Sequence, residues 1–554
     1  MLSLPNQQTD QLPKLIELVN SRYRVPKNVL ANFTPDVLAG MYNDLCVNPW
    51  LYCDPDLDFT VGIADRVGKN QGIDFSNPTR KEKIFNECLY NSTKDGHTIL
   101  VKGALLHTLM DKYDLTFEEA TALFNTKLKD KVIAVQNELV YVRDYVNIER
   151  NLAQLLLDFS QNNEIHTFST LDKTLTDKQL DIFNTMRLSN LGVLTGLPGT
   201  GKTYTLNALV KSALEIYPPE YIFLVAPTGK AARRMTQMSN FPAKTIHSIA
   251  MSLRNKIDLK AEGPLENCFI IVDETSMLDL FIAYKFLRYF SPYSCKLLLV
   301  GDFNQLPAIG PGTLLKDVID HSYQFDTVFL DEIKRQDPGS LLKTAHSIVH
   351  KSKITMDDDD QIRFITYTKD SLKDVVKTIA EDPEWKDAQF ITTLKKNFDG
   401  SKNLNKLLQE LKNPGEGDWR LGDPVIHLVN DSLQNLYNGE FGVINEISPN
   451  QRIFRAKFDT TQYEYSLTYN FKCDLAYAIT VHKSQGSEFD KVVFVANDSY
   501  ISTKNLIYTA ITRTAKKLLI LIKEEELLNQ MLHKQERPRR TLFKRFLKEK
   551  INGD

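Results

Sequence analysis

Apolar positions along this chain fall into two regimes. Up to about residue 165 they recur at helical spacing in short amphipathic stretches, with few strand-like runs. Thr116-Phe117-Glu118-Glu119 has the form of a capping box and predicts a helix continuing through Ala120 and Leu123. Residues 131–135 and 139–142 then predict a small hairpin. Helices with a hairpin fit a winged-helix-like module, a type that binds DNA or protein about as readily as it serves for packing alone. From Leu175 onward, short apolar runs alternate with helical stretches, the pattern of a parallel sheet. The runs at 191–194, 221–226, 268–272 and 296–300 each end at polar residues or a turn. Ligands of open α/β sheets collect at such carboxyl ends. A loop-rich stretch near 351–362 precedes a second α/β region. Between about 416 and 475 the pattern turns to short strands and turns, with Asn438-Gly439 as a hairpin signal, and from Asp474 to about Ile522 it returns to α/β.

The first of these strands leads into Gly196-Leu197-Pro198-Gly199-Thr200-Gly201-Lys202-Thr203, followed by Tyr204 and a helical stretch. Strand, glycine loop and helix in that order make a P-loop. Its backbone N–H groups wrap a polyphosphate, Lys202 reaches the β- and γ-phosphates, and the Thr203 hydroxyl is placed for Mg²⁺. A nucleoside triphosphate and Mg²⁺ are therefore the expected ligands, ATP on the family resemblance given below, with Gly196, Pro198, Gly199, Thr200, Gly201, Lys202, Thr203 and Tyr204 forming the nucleotide site. Asp273 and Glu274 follow the strand at 269–272, where one carboxylate serves the Mg²⁺ and the second polarises an attacking water. After the strand at 297–300, Gln305 is placed to sense a γ-phosphate and the water in line with it; the alternative is a turn stabilised by Asp302 and Asn304. Gln179 has two readings of equal weight, closing the capping box Thr176-Asp177-Lys178-Gln179 or reading the adenine edge.

Composition narrows the class. At 554 residues the chain holds roughly three or four domains of ordinary size. With 42% hydrophobic and 25% charged residues it is globular, and a formal net charge of −2 confines any nucleic-acid binding to local patches. One candidate patch is the C-terminal cluster Lys534, Arg537, Arg539, Arg540, Lys544, Arg545, Lys548 and Lys550, equally readable as a solvated helix face. The run Asp357-Asp358-Asp359-Asp360 reads as a solvated loop. Six cysteines without a C-x-x-C pair indicate a reducing compartment and no zinc cluster. With no signal-peptide pattern and no uncharged run of membrane-spanning length, a soluble cytoplasmic protein is expected.

The order of motifs supports a family resemblance. Besides the P-loop there are Val225-Ala226-Pro227-Thr228-Gly229-Lys230-Ala231-Ala232, Thr245-Ile246-His247-Ser248, Val272-Asp273-Glu274-Thr275-Ser276-Met277, the stretch 300–307 and Glu332-Ile333-Lys334-Arg335-Gln336. Further on come Ala478-Ile479-Thr480-Val481-His482-Lys483-Ser484-Gln485-Gly486-Ser487-Glu488-Phe489 and Tyr508-Thr509-Ala510-Ile511-Thr512-Arg513. The set spans residues 175–515 and closely resembles superfamily 1 helicases, within them the RecD-like 5′-to-3′ branch. Asn48-Pro49-Trp50, Ala64-Asp65 with Gly72-Ile73, Gly96-His97-Thr98 and the segment 145–149 resemble the helical domain of stand-alone RecD-like enzymes, which work without RecB and RecC. Where that family has the glycines of a helix-hairpin-helix motif six and four residues before Asp65, this chain has Phe59 and Val61, which weighs against a DNA-backbone role for that motif. Arg539-Arg540-Thr541-Leu542 resembles the family's terminal segment.

The resemblance implies an α/β fold of two RecA-like P-loop motor domains with parallel sheets, a helical N-terminal domain and a small SH3-like β insertion in the second motor. The expected division is 1–165 for the helix-hairpin-helix or winged-helix-like N-terminal domain and 166–345 for motor 1, with a small pin near 250–267. Motor 2 takes 346–415 and 476–554, and the insertion 416–475. The small N-terminal domain of longer relatives is expected to be missing. Arg335 and Arg513 would act as arginine fingers beside Lys202, Asp273, Glu274 and Gln305; Gly486 and Glu488 would touch nucleotide, and Gln179 tips toward reading adenine. Pro227, Thr228, His247, Thr480, His482 and Lys483 would line a path for single-stranded DNA. Expected partners are single-stranded DNA and single-strand/duplex junctions, with a protein partner on the N-terminal domain, for a monomer in the cytoplasm of a bacterial or phage-infected cell. An RNA-directed helicase and a nucleotide-switched DNA-binding subunit of a repair complex are the alternatives.

Overall fold

The computed structural model describes residues 8–552 except 31–32, 55–58, 162–167, 169–171, 173, 258–262, 333–338, 351–358, 430, 432–433, 435, 460, 468–471, 498 and 500. The N-terminal region is mainly helical. Thr116 and Glu119 form the expected reciprocal capping box at the start of the helix Phe117–Lys129. Strands β2 (Ile133–Gln136) and β3 (Leu139–Val142) form the expected hairpin, closed by Asn137 and Glu138 at φ 49° and 62°, the left-handed pair of a two-residue turn. A strand not foreseen, β1 (Ile99–Val101), pairs antiparallel with β3.

The first α/β unit is a six-stranded sheet of β4 (Leu191–Gly196), β5 (Ile222–Ala226), β6 (Ala243–Thr245), β7 (Phe269–Val272), β8 (Lys296–Gly301) and β9 (Asp326–Leu330). Its order is β6-β5-β7-β8-β4-β9 and every pairing is parallel. Alternate residues fill its two faces, as a sheet covered on both sides requires. Val193, Val225, Ile270 and Leu297 join one core, while Leu194, Leu224, Ile271 and Leu298 join the other.

The second unit begins with β10 (Ile362–Thr366) and β11 (Gln389–Thr392). An antiparallel sheet then intervenes, made of β12 (Pro424–His427), β13 (Phe441–Ser448), β14 (Ile453–Phe458), β15 (Gln462–Ser466) and β16 (Cys473–Leu475), in the order β15-β14-β13-β12-β16. It encloses its own core around Phe454, Phe458 and Tyr465. The chain returns through β17 (Ala478–Thr480), β18 (Phe489–Val495) and β19 (Thr514–Ile522), giving a parallel sheet ordered β10-β19-β18-β11-β17. Asn438-Gly439 does not make a two-residue hairpin. It turns the chain at Tyr437–Glu440, with Gly439 at φ 91°, late in the connection 428–440 between β12 and β13.

Packing departs from the expected division at three places, each because an apolar stripe meets a different sheet. The helix Arg143–Gln161 buries Leu152, Leu156 and Phe159 in the core of the first sheet. The helix Ser340–Val349, which the expected boundary at 345 would cut, places Leu341, Ala345 and Ile348 in the core of the second. The last helix, Phe543–Asn552, expected in the second motor, instead returns to the first with Phe543, Phe546 and Leu547. The region expected for a pin is helical over Ile246–Lys256, and residues 258–262 lie outside the described set.

Candidate nucleotide site and nucleic-acid path

Many of the candidate site residues lie just past the carboxyl ends of parallel strands, whereas Gly486 and Glu488 lie just ahead of β18 and Arg513 just ahead of β19. β4 delivers the glycine loop, β5 Pro227 and Thr228, β7 Asp273 and Glu274, β8 the loop with Gln305, and β17 the short helix Val481–Ser484. Gly199 and Gly201 take φ 76° and 86°, which an L side chain seldom adopts, and a Cβ on Gly196 would strike the Leu330 carbonyl. Lys202 Nζ donates to the carbonyls of Gly196 (2.6 Å) and Leu197 (3.1 Å). A cavity of about 370 Å³ opens there. Lys202, Thr203, Asp273, Glu274 and Gln305 line it from one side, Gly486, Glu488 and Arg513 from the other.

The walls meet through specific bonds. Arg513, 5% exposed, donates from Nη2 to Gln305 Oε1 (3.2 Å), from Nη1 to Ser487 O (3.0 Å) and from Nε to Thr509 O (3.2 Å). Arg234 on the first wall pairs with Glu488 on the second at 2.5 Å. The Tyr508 hydroxyl donates to Asp302 Oδ2 (2.5 Å), Leu306 N–H to Thr509 Oγ1 (2.9 Å), Asn505 Nδ2 to Asn304 O (2.9 Å) and Gln485 Nε2 to Leu306 O (3.2 Å). Tyr508, Thr509, Asn505, Gln485 and Arg234 were missed as site residues, although all but Asn505 lie in or beside the motif stretches already singled out.

Asp273 is held up at about 7 by burial, with the Glu274 carboxylate beside it adding to the rise; its Oδ1 accepts the Glu274 N–H at 2.8 Å. Glu274 itself sits at φ 51°, a left-handed conformation that a non-glycine residue keeps only where its surroundings impose it. The Thr203 hydroxyl and the Asp273 carboxylate are hard oxygen donors of the kind Mg²⁺ takes, and a divalent cation would hold the buried carboxyl ionised. Among the described residues no other cluster of metal-ligating side chains occurs.

Other expectations divide. Gln179 is 2% exposed, takes the Thr176 N–H on Oε1 (3.0 Å) and gives Nε2 to Thr200 O (3.4 Å), so the capping reading is what the structure displays, and it is not part of the cavity wall. Tyr204 is on the wall, its hydroxyl tied to Asp172 Oδ2 at 2.6 Å. Arg335 lies outside the described residues. Of the DNA-path residues, Thr228 caps the helix Gly229–Ser239 and lies beside Gly486, whose added Cβ would sit 3.3 Å from Thr228 Oγ1. Thr480 caps the helix carrying His482 and Lys483, and Lys483 is paired with Asp474 at 2.8 Å. His247 stands exposed at the start of the helix Ile246–Lys256, on the first unit. The antiparallel insertion leans on the Thr228 region: Tyr437 covers Gly229, Lys230 Nζ lies 4.5 and 5.2 Å from the ring centroids of Phe441 and Phe489, and Arg233 pairs with Glu440 at 3.1 Å. Of the C-terminal basic cluster, Lys544, Arg545 and Lys550 lie on the helix Phe543–Asn552 and are partnered by Asp320, Glu549 and Gln154, whereas Lys534, Arg537, Arg539 and Arg540 precede that helix.

A glycine loop, acidic residues after β7 and an arginine arriving from a second parallel sheet define a two-domain P-loop nucleotide motor. Residues 179–311 match the AAA domain family and 475–521 the UvrD-like helicase C-terminal domain family. The chain is 28% identical over 483 residues to the ATP-dependent RecD2 DNA helicase of Deinococcus radiodurans, covering 81% of this chain and 66% of that protein. It is 25% identical to the RecBCD enzyme subunit RecD of Haemophilus influenzae, covering 74% and 78%. A solved Pif1 helicase from Bacteroides, in complex with ADP-AlF3 and single-stranded DNA, superposes with a TM-score of 0.41 at 18% identity over 64% of this chain and 95% of that one. Over most of its length the chain is therefore similar to RecD-type helicases. Among the described residues no helix is long and apolar enough to cross a membrane.

Proposed function

We propose that this chain is an ATP-dependent DNA helicase that moves 5′ to 3′ along single-stranded DNA and separates duplex ahead of it. The observation that carries the reading is the Arg513–Gln305 bond, which brings a cation from the second sheet against the loop expected to sense the γ-phosphate. In this reading Lys202 draws charge from the β- and γ-phosphates, Glu274 takes a proton from the attacking water, and Gln305 orients that water. Arg513 then meets the charge that develops on the transferred phosphoryl group. Thr203 and Asp273 would hold Mg²⁺, which when bound neutralises charge on the β- and γ-oxygens. Arg335 would be a second finger, and Gly486, Glu488 and Tyr204 would border the nucleotide.

Hydrolysis changes what holds the two walls together, and residues on both units, Pro227, Thr228 and His247 on the first and Thr480, His482 and Lys483 on the second, would grip the phosphate backbone without reading bases. Opening one base-pair step takes on the order of 1.4 kcal/mol, so a short wedge driven by such a step suffices. The expected substrates are single strands and single-strand/duplex junctions, for a monomer working in the cytoplasm in replication, repair or recombination.

The test is strand separation by the purified chain, with ATP and Mg²⁺, on duplexes bearing a 5′ or a 3′ tail, with Lys202→Ala as control. Unwinding from the 5′ tail alone, abolished in the variant, is expected. Unwinding from the 3′ tail refutes the polarity, a preference for matched RNA oligomers refutes the substrate, and hydrolysis without unwinding favours the nucleotide-switched subunit.

A further inference from the structure

The loop that carries Gln305 runs on through Pro307-Ala308-Ile309-Gly310-Pro311-Gly312, and its two prolines bring no N–H, so this stretch is poor in donors for a backbone ladder of its own. Its carbonyls are met from elsewhere. Arg539 donates from Nη1 to Gly310 O (2.6 Å) and Gly312 O (2.7 Å) and from Nη2 to Ala308 O (2.6 Å). The site leaves no slack: a Cβ on Gly96 would fall 2.7 Å from Arg539 Nε, and one on Gly310 would collide with Asp279.

Arg539 belongs to an extended segment that starts on the second motor and ends on the first. Lys534 O accepts the Lys504 N–H, and Glu536 takes the Thr503 hydroxyl, at the head of the helix Lys504–Ile511 that supplies Asn505, Tyr508 and Thr509 to the cleft. Beyond Arg539 the backbone carbonyl of Arg540 accepts the N–H groups of Thr98 and Ile99, and Leu542 N–H donates to Glu149. The loop is thus gripped from the cleft side by Leu306 on Thr509 and Gln485, and from behind by Arg539, with Gln305 next to the gripped stretch.

We propose that Arg539 is a positioning residue for hydrolysis: it fixes the 308–312 backbone so that Gln305 meets Arg513 and the γ-phosphate in register, and the C-terminal strap makes that register depend on where the second motor stands. The proposal rests on the hydrolytic reading of the cleft. Arg539 touches neither nucleotide nor the reacting atoms, and its effect passes through the loop.

The experiment compares Arg539→Ala with Arg540→Ala in the full chain. Arg540 sits in the same strap and, among the described residues, its side chain donates to Ile99 O (3.2 Å) and not to the 308–312 loop, so its loss probes the strap without freeing the loop. DNA-stimulated hydrolysis in Arg539→Ala should fall on the order of tenfold or more in kcat, the scale on which a misplaced catalytic group acts, with KM for ATP within about twofold. Arg540→Ala should keep its kcat. Hydrogen exchange supplies a readout independent of catalysis: the amides of Gln305, Leu306 and Gly312 should lose protection in Arg539→Ala and keep it in Arg540→Ala. Equal losses of kcat and of melting temperature in both variants would reduce Arg539 to a structural staple and overturn the proposal. Unchanged exchange at 305–312 overturns it even if the wild-type chain hydrolyses nothing, an outcome that would separately sink the proposed function.

Discussion

Glu149 offers a test of how the C-terminal helix is held. It is 1% exposed on the helix Arg143–Gln161 and accepts the Leu542 N–H at 2.5 Å, beside the backbone of Phe543 and the Thr98 hydroxyl, so it acts as a cap supplied in trans to the helix Phe543–Asn552. Burial, which these hydrogen bonds only partly oppose, pushes its carboxyl from 4.5 up to about 7, and Asp317, itself raised to about 6 by burial, adds to the rise. Between about pH 4.5 and 7 the folded chain therefore binds more protons at this site than the unfolded chain. The contribution of Glu149 is fully present at the acid end, is lost as pH rises through that window, and levels off above it. At 1.36 kcal/mol per pH unit, the gap between the two values amounts to about 3 kcal/mol. Glu149→Gln keeps an acceptor but removes the titration. The assay is the opening free energy of the amides in 543–552, from hydrogen exchange at pH 5 to 8, with denaturant midpoints as a check. The variant should gain on the wild type by about 3 kcal/mol across the window, a figure that includes the part of the rise Glu149 shares with Asp317. A wild-type to variant difference that stays constant within about 0.5 kcal/mol would refute the reasoning.

Arg513→Ala should slow DNA-stimulated hydrolysis on the order of 10³-fold, the lower end for a finger, while a fluorescent ADP analogue binds within a few-fold of wild type; equal loss of binding would remove the finger role. Gly229→Ala puts a methyl group against Tyr437 and should cost about 1 to 3 kcal/mol by overpacking, seen as a lowered melting temperature. Tyr437→Ala should recover part of that loss in the double variant, and strictly additive effects would show that the insertion does not rest on the helix Gly229–Ser239.

The parts of the fold legible in the sequence are those fixed by residues a few positions apart. The capping boxes at Thr116 and Thr176 are three-residue devices, and both form. The glycine loop is legible because Gly199 and Gly201 need conformations few other residues hold, and the strand ends because apolar runs stop where ligands gather. Choices made over long distances were not legible. β1 is three residues long and exists through its pairing with β3 some forty positions later. The stripe of Phe543, Phe546 and Leu547 announces a buried face but not which sheet will bury it, and the same holds for Leu341 and Ile348. Asp302 reads locally as a turn former; its partner Tyr508 lies on the other motor. Gln179 carries both of its readings in one side chain, and the local one is the one the structure displays.

The contacts between the walls also bear on how such a cleft could cycle. The bonds of Asp302, Asn304, Gln305 and Leu306 to Tyr508, Asn505, Arg513, Thr509 and Gln485 are each worth about 1 kcal/mol net, so together they hold this loop to the second unit by about 5 kcal/mol. Moving a two-state equilibrium from one side to the other takes about 5.5 kcal/mol of differential binding. The polar grip on this loop is therefore of a size that a nucleotide binding between the same walls can oppose or reinforce. A much larger apolar contact would lock the motors together. A much smaller one would leave Arg513 without the neighbours that hold it within hydrogen-bonding distance of Gln305. Polar contacts clustered on the nucleotide-sensing loop place the switchable part of the interface where the change in phosphate charge occurs.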